Sequence, residues 1–242
     1  SEQSLRDPDL MVIHGSEELA QLQVVFNERQ RQAQASSRPE REVWEPAGAP
    51  KGLVVALHGA GGSILTEGDY WRLAVELGWR VAMLQSSQVH APGRYHWADR
   101  DKAAEELGHH LAELSPDIPT VLSGYSMGGG LAIRSVLSGP ARALGFFVVA
   151  PSFRLEEVEP LLTTADKGLR GYIVVGTEDP WSYGRARELA DAMRKAGLQC
   201  VVEEIAGLDH DYPPDFSSCL RRGLEFLCGG ERVGVEPTGE SA

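Results

Sequence analysis

The 242-residue chain, 42% hydrophobic, is long enough for one large α/β core or two small ones. It has no run approaching the ~18 consecutive apolar residues of a membrane span. A net charge of −12 argues against nucleic acid or anionic lipid as the main partner, because both need a basic face. Cys200, Cys219 and Cys228 lack C-x-x-C spacing and any nearby His pair, so they read as buried or incidental thiols, not as a metal or disulfide framework. The opening residues "SEQSLRDPDL" are polar and acidic, with no basic stretch leading into an apolar core. The default expectation for location is therefore cytoplasmic.

In chain order, "SEELAQLQVVFNERQRQAQA" (16–35) predicts an amphipathic helix with Leu19, Leu22, Val25 and Phe26 on one face and Ser16 as N-cap. That helix is expected either to pack on the domain or to exchange between the protomers of a homodimer. "SSRPER" ends it, and "EVWEP" predicts a short edge strand limited by Pro46. Residues 1–49 thus read as an N-terminal extension, 50–228 as the main domain, and the Gly-, Glu- and Pro-rich 229–242 as a disordered tail. Within 50–228, short aliphatic runs recur at 53–57, 80–85, 120–124, 144–150, 171–176 and 199–205. Helical periods fill the gaps at 69–78, about 100–114, 127–138, 182–196 and 214–227. Continuous apolar strands alternating with amphipathic helices predict a three-layer α/β/α sandwich with a mostly parallel, doubly wound sheet. Ligands bind beyond the carboxyl ends of such strands, which directs attention to four strand ends.

The first strand leads into "LHGAGG" (57–62), whose glycines let the backbone turn sharply and aim amide N–H groups at a common point. A phosphate loop is disfavoured, since neither G-K-[ST] nor a complete G-x-G-x-x-G is present. The strand at 120–124 leads into Gly124-Tyr125-Ser126-Met127-Gly128 with a helix after it. That context suits a nucleophile elbow: Ser126 projects outward on a strained turn, and Gly124 and Gly128 relieve crowding between strand and helix. "GTEDPW" at the end of the strand at 171–176 carries Asp179, which taken alone could be a helix cap, and "AGLDHDYP" after the strand at 199–205 carries His210 in a loop. His109 and His110 fall in a helix, on its expected solvent side.

Ser126, Asp179 and His210 each follow a separate strand, in the order serine, acid, histidine. In that order and placement the chain resembles the α/β-hydrolase superfamily from about residue 50 to 228. The stretches "LHGAGG", "GYSMGG", "GTEDP" and "GLDHDYP", without a large inserted cap, make it similar to the small phospholipase/carboxylesterase and acyl-protein thioesterase group. Gly62 stands where that group commonly has a small polar residue or Asp, and two acids, Asp209 and Asp211, flank His210. The resemblance implies a carboxylesterase-type serine hydrolase of small-molecule esters, with Ser126 as nucleophile, His210 as base and Asp179 as its orienting acid. The backbone N–H groups of Ala60 and Met127 would form the oxyanion hole, His58 would order the glycine loop, and no metal or organic cofactor is needed. Tyr95, Trp97, Phe153 and Trp181 are expected to bind a short to medium acyl chain. Two alternatives stay open: a prolyl-oligopeptidase-like peptidase, and a non-catalytic binder using a hydrolase pocket.

Overall fold

The computed structural model describes residues 16–114, 118–139 and 143–229. In chain order the elements are α1 (Glu17–Ser36), β1 (Glu40–Trp44), β2 (Leu53–Leu57), α2 (Ile64–Glu76), β3 (Arg80–Gln85), β4 (Val89–Ala91) and β5 (Arg94–Tyr95). They continue with α3 (Arg100–Glu113), β6 (Thr120–Tyr125), α4 (Ser126–Leu137), β7 (Ala143–Val149) and α5 (Leu155–Val158), which runs into a 3-10 turn at Glu159–Thr163. The last are β8 (Arg170–Gly176), α6 (Tyr183–Lys195), β9 (Gln199–Ile205) and α7 (Phe216–Leu227).

Seven strands form one sheet in the order β1-β3-β2-β6-β7-β8-β9. All neighbours pair in parallel except β1, which closes one edge antiparallel to β3. Both faces of the sheet are covered, so successive residues of one strand enter opposite cores. In β2, Leu53, Val55 and Leu57 join Leu107 of α3, Ile133 of α4 and Leu189 of α6. Val54 and Ala56 join Trp71 of α2 and Phe216 and Leu220 of α7 on the other side. No residue of β2 is more than 1% exposed, which is why it reads as an unbroken apolar run. Burial of each such leucine or phenylalanine contributes about 1.5–3 kcal/mol. This is the expected three-layer α/β/α sandwich; among the described residues the additions to its alternating strands and helices are the short β4–β5 hairpin and α5 with its 3-10 turn, not a large cap.

Four features differ from expectation. Helix α2 begins at Ile64 rather than 69, because Ser63 and Thr66 form a capping box, each side chain accepting the other's backbone N–H. The edge strand is Glu40–Trp44, two residues ahead of the expected segment, and it belongs to the main sheet. Helix α1 has the expected Ser16 cap, with Leu19 N–H donating to Ser16 Oγ at 3.1 Å, but it buries no residue. Its expected apolar face stays in solvent, with Leu22, Val25 and Phe26 exposed. What holds it is polar: Gln34 donates to Ser87 O and accepts from Val89 N–H, and Gln30 donates to Val89 O, extending the edge of β4. His110 is the fourth. It is buried on the packing stripe of Ala103, Glu106 and Leu107, and two polar members of that stripe hide its period. The tail expected at 229–242 lies, beyond Gly229, outside the described residues. No helix among the described residues is long and apolar enough to cross a membrane.

Candidate active site

The elbow sits where β6 turns into α4. Ser126, the first residue of α4, has φ 49°, in the left-handed region that side chains other than glycine rarely occupy. Such strain, of order 1–3 kcal/mol, persists only where the surroundings enforce it. Here they do. A Cβ on Gly124 would lie 2.5 Å from the carbonyl carbon of Gly128, and one on Gly128 would lie 2.3 Å from Leu57 O. Only bare backbone lets α4 approach β6 and β2 closely enough to close the turn. Gly130 is a third such position, 2.0 Å from Ser152 O, and it fell outside the five-residue motif.

His210 lies in the loop after β9, 84 residues from Ser126 in sequence, and its Nε2 is 2.9 Å from Ser126 Oγ. Its Nδ1 is 2.8 Å from Asp179 Oδ2. The fully buried Asp179 carboxylate also accepts Trp181 N–H at 2.8 Å and Ser182 N–H at 3.0 Å through Oδ1. Burial by itself would raise its pKa. The hydrogen bonds from His210 and the two amides outweigh that and hold the carboxyl below the usual aspartate range. An ionised Asp179 can only accept, so the imidazole proton sits on Nδ1 and bare Nε2 accepts from the serine hydroxyl. Asp179 is therefore both the turn cap and the histidine's partner. The flanking acids are engaged elsewhere: Asp209 accepts His210 N–H and Asp211 accepts Tyr212 N–H.

The glycine loop after β2 packs beside the serine turn: a Cβ on Gly59 would lie 2.7 Å from the Tyr125 ring, and one on Gly128 2.5 Å from His58 O. Gly59 N–H donates to Glu67, Gly61 N–H to Tyr95 O and Gly62 N–H to Gly59 O. Among the described residues Ala60 N–H has no protein partner, and Met127 N–H is one of the first-turn donors of α4 that a helix leaves unpaired. His58 is buried; it accepts Ser86 N–H at Nε2, donates from Nδ1 to Gly59 O, and stacks on Trp97 at 4.8 Å.

Sequence reasoning missed the group beneath this loop. Glu67 of α2, buried, accepts Gly59 N–H at 3.0 and 3.2 Å and the Tyr212 hydroxyl at 2.9 Å. Tyr212 takes Trp71 Nε1–H and stacks on Tyr125, whose hydroxyl donates to His210 O. One carboxylate thus ties the glycine loop to the histidine loop. The signal was in the helical phase: Glu67 stands four residues before Trp71, on the face that also buries Gly68 and Ala74.

Burial lifts the Glu67 carboxyl from its ordinary 4.5 to about 7, against the opposing pull of Gly59 N–H and Tyr212. Between those values the folded chain holds a proton that the unfolded chain has lost. Glu67 therefore makes stability fall as pH rises through this window, by up to about 3 kcal/mol. His58, lowered by burial to about 4, acts in the opposite sense: as pH falls from 6.5 the unfolded chain protonates first. Glu67→Gln is expected to gain up to about 3 kcal/mol on the wild type between pH 4.5 and 7, read from denaturant melts across that range. Parallel profiles for the two proteins would show that Glu67 does not titrate there.

Beside Met127 opens a cavity of about 540 Å³, lined by Trp97, Phe153 and Trp181 among others. Trp97 and Phe153 are buried, whereas Trp181 is 66% exposed. Tyr95 does not line it; its backbone pairs instead with Gly61 and Gly62. The loop between β3 and α3 is pinned: Gln88 bonds the backbone of Asp99 in both directions, and buried Glu106 accepts from Ser86 and Ser87.

No family model matches the chain. A 117-residue stretch is 29% identical to a monoglyceride lipase of Rattus norvegicus, covering 45% of this chain and 37% of that protein. The chain thus spans well under half the length of the curated relative it matches. Among solved structures, an uncharacterized protein from Bacillus cereus ATCC 10987 superposes with TM-score 0.70 at 24% identity, over 92% of this chain and 74% of the other. Esterase PE8 gives 0.62 at 19% identity over 76% and 98%. The monoacylglycerol lipase of Paleococcus ferrophilus gives 0.62 at 16% identity over 78% and 98%. With the parallel sheet and the strained serine turn between β6 and α4, these likenesses establish that the chain has the α/β-hydrolase fold.

Proposed function

We propose that the protein is a serine hydrolase of carboxylic esters that works through an acyl-enzyme on Ser126. The observation that carries this reading is the hydrogen-bonded line Ser126–His210–Asp179. Ser126 Oγ attacks the ester carbonyl carbon as His210 Nε2 takes its proton; the carbonyl oxygen becomes an oxyanion held by Ala60 and Met127 N–H. Collapse of the tetrahedral adduct breaks the bond to the alcohol, which leaves with the proton from His210. A water then attacks the acyl-enzyme, again deprotonated by His210, and its collapse releases the acid and restores Ser126. Asp179 keeps the ring in the tautomer that both halves require. The relatives named as esterases and monoglyceride lipases favour an ester over a peptide substrate.

A cavity of about 540 Å³ suits a modest acyl group, and the loop beside it is pinned by Gln88 and not built to swing as a lid. Across a chain-length series of p-nitrophenyl esters, kcat/KM is expected to peak at short to medium acyl chains and fall for long ones. No jump in rate is expected above the micelle concentration. Faster turnover of the matching amide would move the assignment to the peptidases. Absence of multiple turnover on any ester would leave only a binding role.

A further inference from the structure

The charged lining of the same cavity is mostly basic, in a chain whose net charge is −12. Arg100 from α3, Arg134 from α4, Arg154 ahead of α5 and Arg185 from α6 all line it, with Glu157 as the one carboxylate among the lining residues. Glu157 pairs with Arg100 at 2.6 Å and lies 3.8 Å from Arg134; the Arg100 hydrogen bond, then the nearby guanidinium charges, hold its pKa below the usual range. Among the described residues no carboxylate lies within 4 Å of Arg154 or Arg185, although Glu157 feels the charge of Arg154. The fold does not ask for this clustering. Arg100 and Arg185 lie in the first turns of α3 and α6, where the helix dipole disfavours a cation. Four separate segments each contribute one arginine to the lining of one cavity, which Trp97, Phe153 and Trp181 also line beside Met127 of the serine turn.

Resting on the ester-hydrolase reading above, we propose that the substrate is an ester carrying an anionic group, carboxylate or phosphate, that docks on Arg100, Arg134, Arg154 and Arg185. Guanidinium forks match both anions bidentately. The spacing sets where that charge lies. Arg134 is eight residues beyond Ser126 on α4, roughly 12 Å of axial rise, shortened because helical side chains lean toward the N-terminus. The anion therefore lies several bonds from the scissile carbonyl, with an apolar segment between the two along Trp97 and Phe153.

The test uses matched pairs. Mono-p-nitrophenyl esters of dicarboxylic acids from glutarate to suberate are compared with p-nitrophenyl alkanoates of equal length. On the alcohol side, 4-acetoxybenzoate and 4-acetoxyphenyl phosphate are compared with phenyl acetate, each corrected for its hydroxide-catalysed rate. At low salt at least one anionic series is expected to exceed its neutral partner tenfold or more in kcat/KM. That ratio should shrink with added salt and drop severalfold in Arg134→Gln/Arg154→Gln, but not in Arg31→Gln on α1. Whether carboxylate or phosphate is preferred identifies the anion. Ratios near one in every series, or ratios indifferent to the arginine substitutions, overturn the proposal. Calorimetry with suberate and phenyl phosphate separates the two readings. If no ester is turned over yet these anions bind the wild type and not the double variant, the hydrolase reading falls and the anion site stands. If neither turnover nor binding is seen, both fall.

Discussion

Ser126→Ala is expected to remove ester turnover down to the background rate, a loss on the order of 10⁶-fold in kcat, and to abolish labelling by a fluorophosphonate probe. The geometry explains the size of the effect. Ser126 Oγ is 2.9 Å from an imidazole nitrogen whose other nitrogen is fixed by a buried carboxylate, so its proton has a ready acceptor. Alanine at 126 keeps the backbone and removes the only nucleophile on that line. Folding should survive, because the left-handed φ of 49° costs alanine and serine similar strain. The measurement is mass-spectrometric identification of the labelled peptide together with burst kinetics. Labelling that persists in the variant would place the nucleophile elsewhere.

Asp179→Asn is expected to lower kcat by about 10⁴-fold while leaving the chain folded. The asparagine carbonyl can keep the Trp181 and Ser182 amides that Oδ1 now accepts. Its NH₂ must then face His210 Nδ1, where Oδ2 now lies at 2.8 Å. A donor there forces Nδ1 to accept and moves the ring proton to Nε2, pointing at Ser126 in place of the lone pair that should take its proton. Asp211→Asn should be mild by comparison, since that carboxylate engages the Tyr212 amide. The pH dependence follows from the sign of the Asp179 shift. A carboxyl held below its ordinary value stabilises the fold above the usual aspartate range, and that contribution is lost as pH falls through its lowered folded value. Equal losses in the Asp179 and Asp211 variants would mean that neither acid orients the ring.

The sheet was legible because its information is local. The run at 53–57 buries residues on both sheet faces, so it appears as an unbroken apolar segment with the same bounds in sequence and structure. The serine turn was legible for a related reason: glycines at 124 and 128 are required by contacts within a few residues and one neighbouring strand. The α1 helix was half legible. Its Ser16 cap is a local hydrogen bond, but its apolar face finds no partner among the described residues and its anchor is a pair of glutamines on the β4 edge.

From the sequence alone came the α/β alternation, the strand ends, and the order of Ser126, Asp179 and His210. Each depends on period, propensity or a turn that a few adjacent residues decide. Only the tertiary structure decided that Glu67 links the glycine loop to Tyr212 across 145 residues, that His110 faces inward, and that four arginines from four elements line one cavity. The reason is physical. A polar residue on a buried stripe leaves no mark in an apolar period, and its partner is chosen by how distant elements cross, not by its neighbours in the chain.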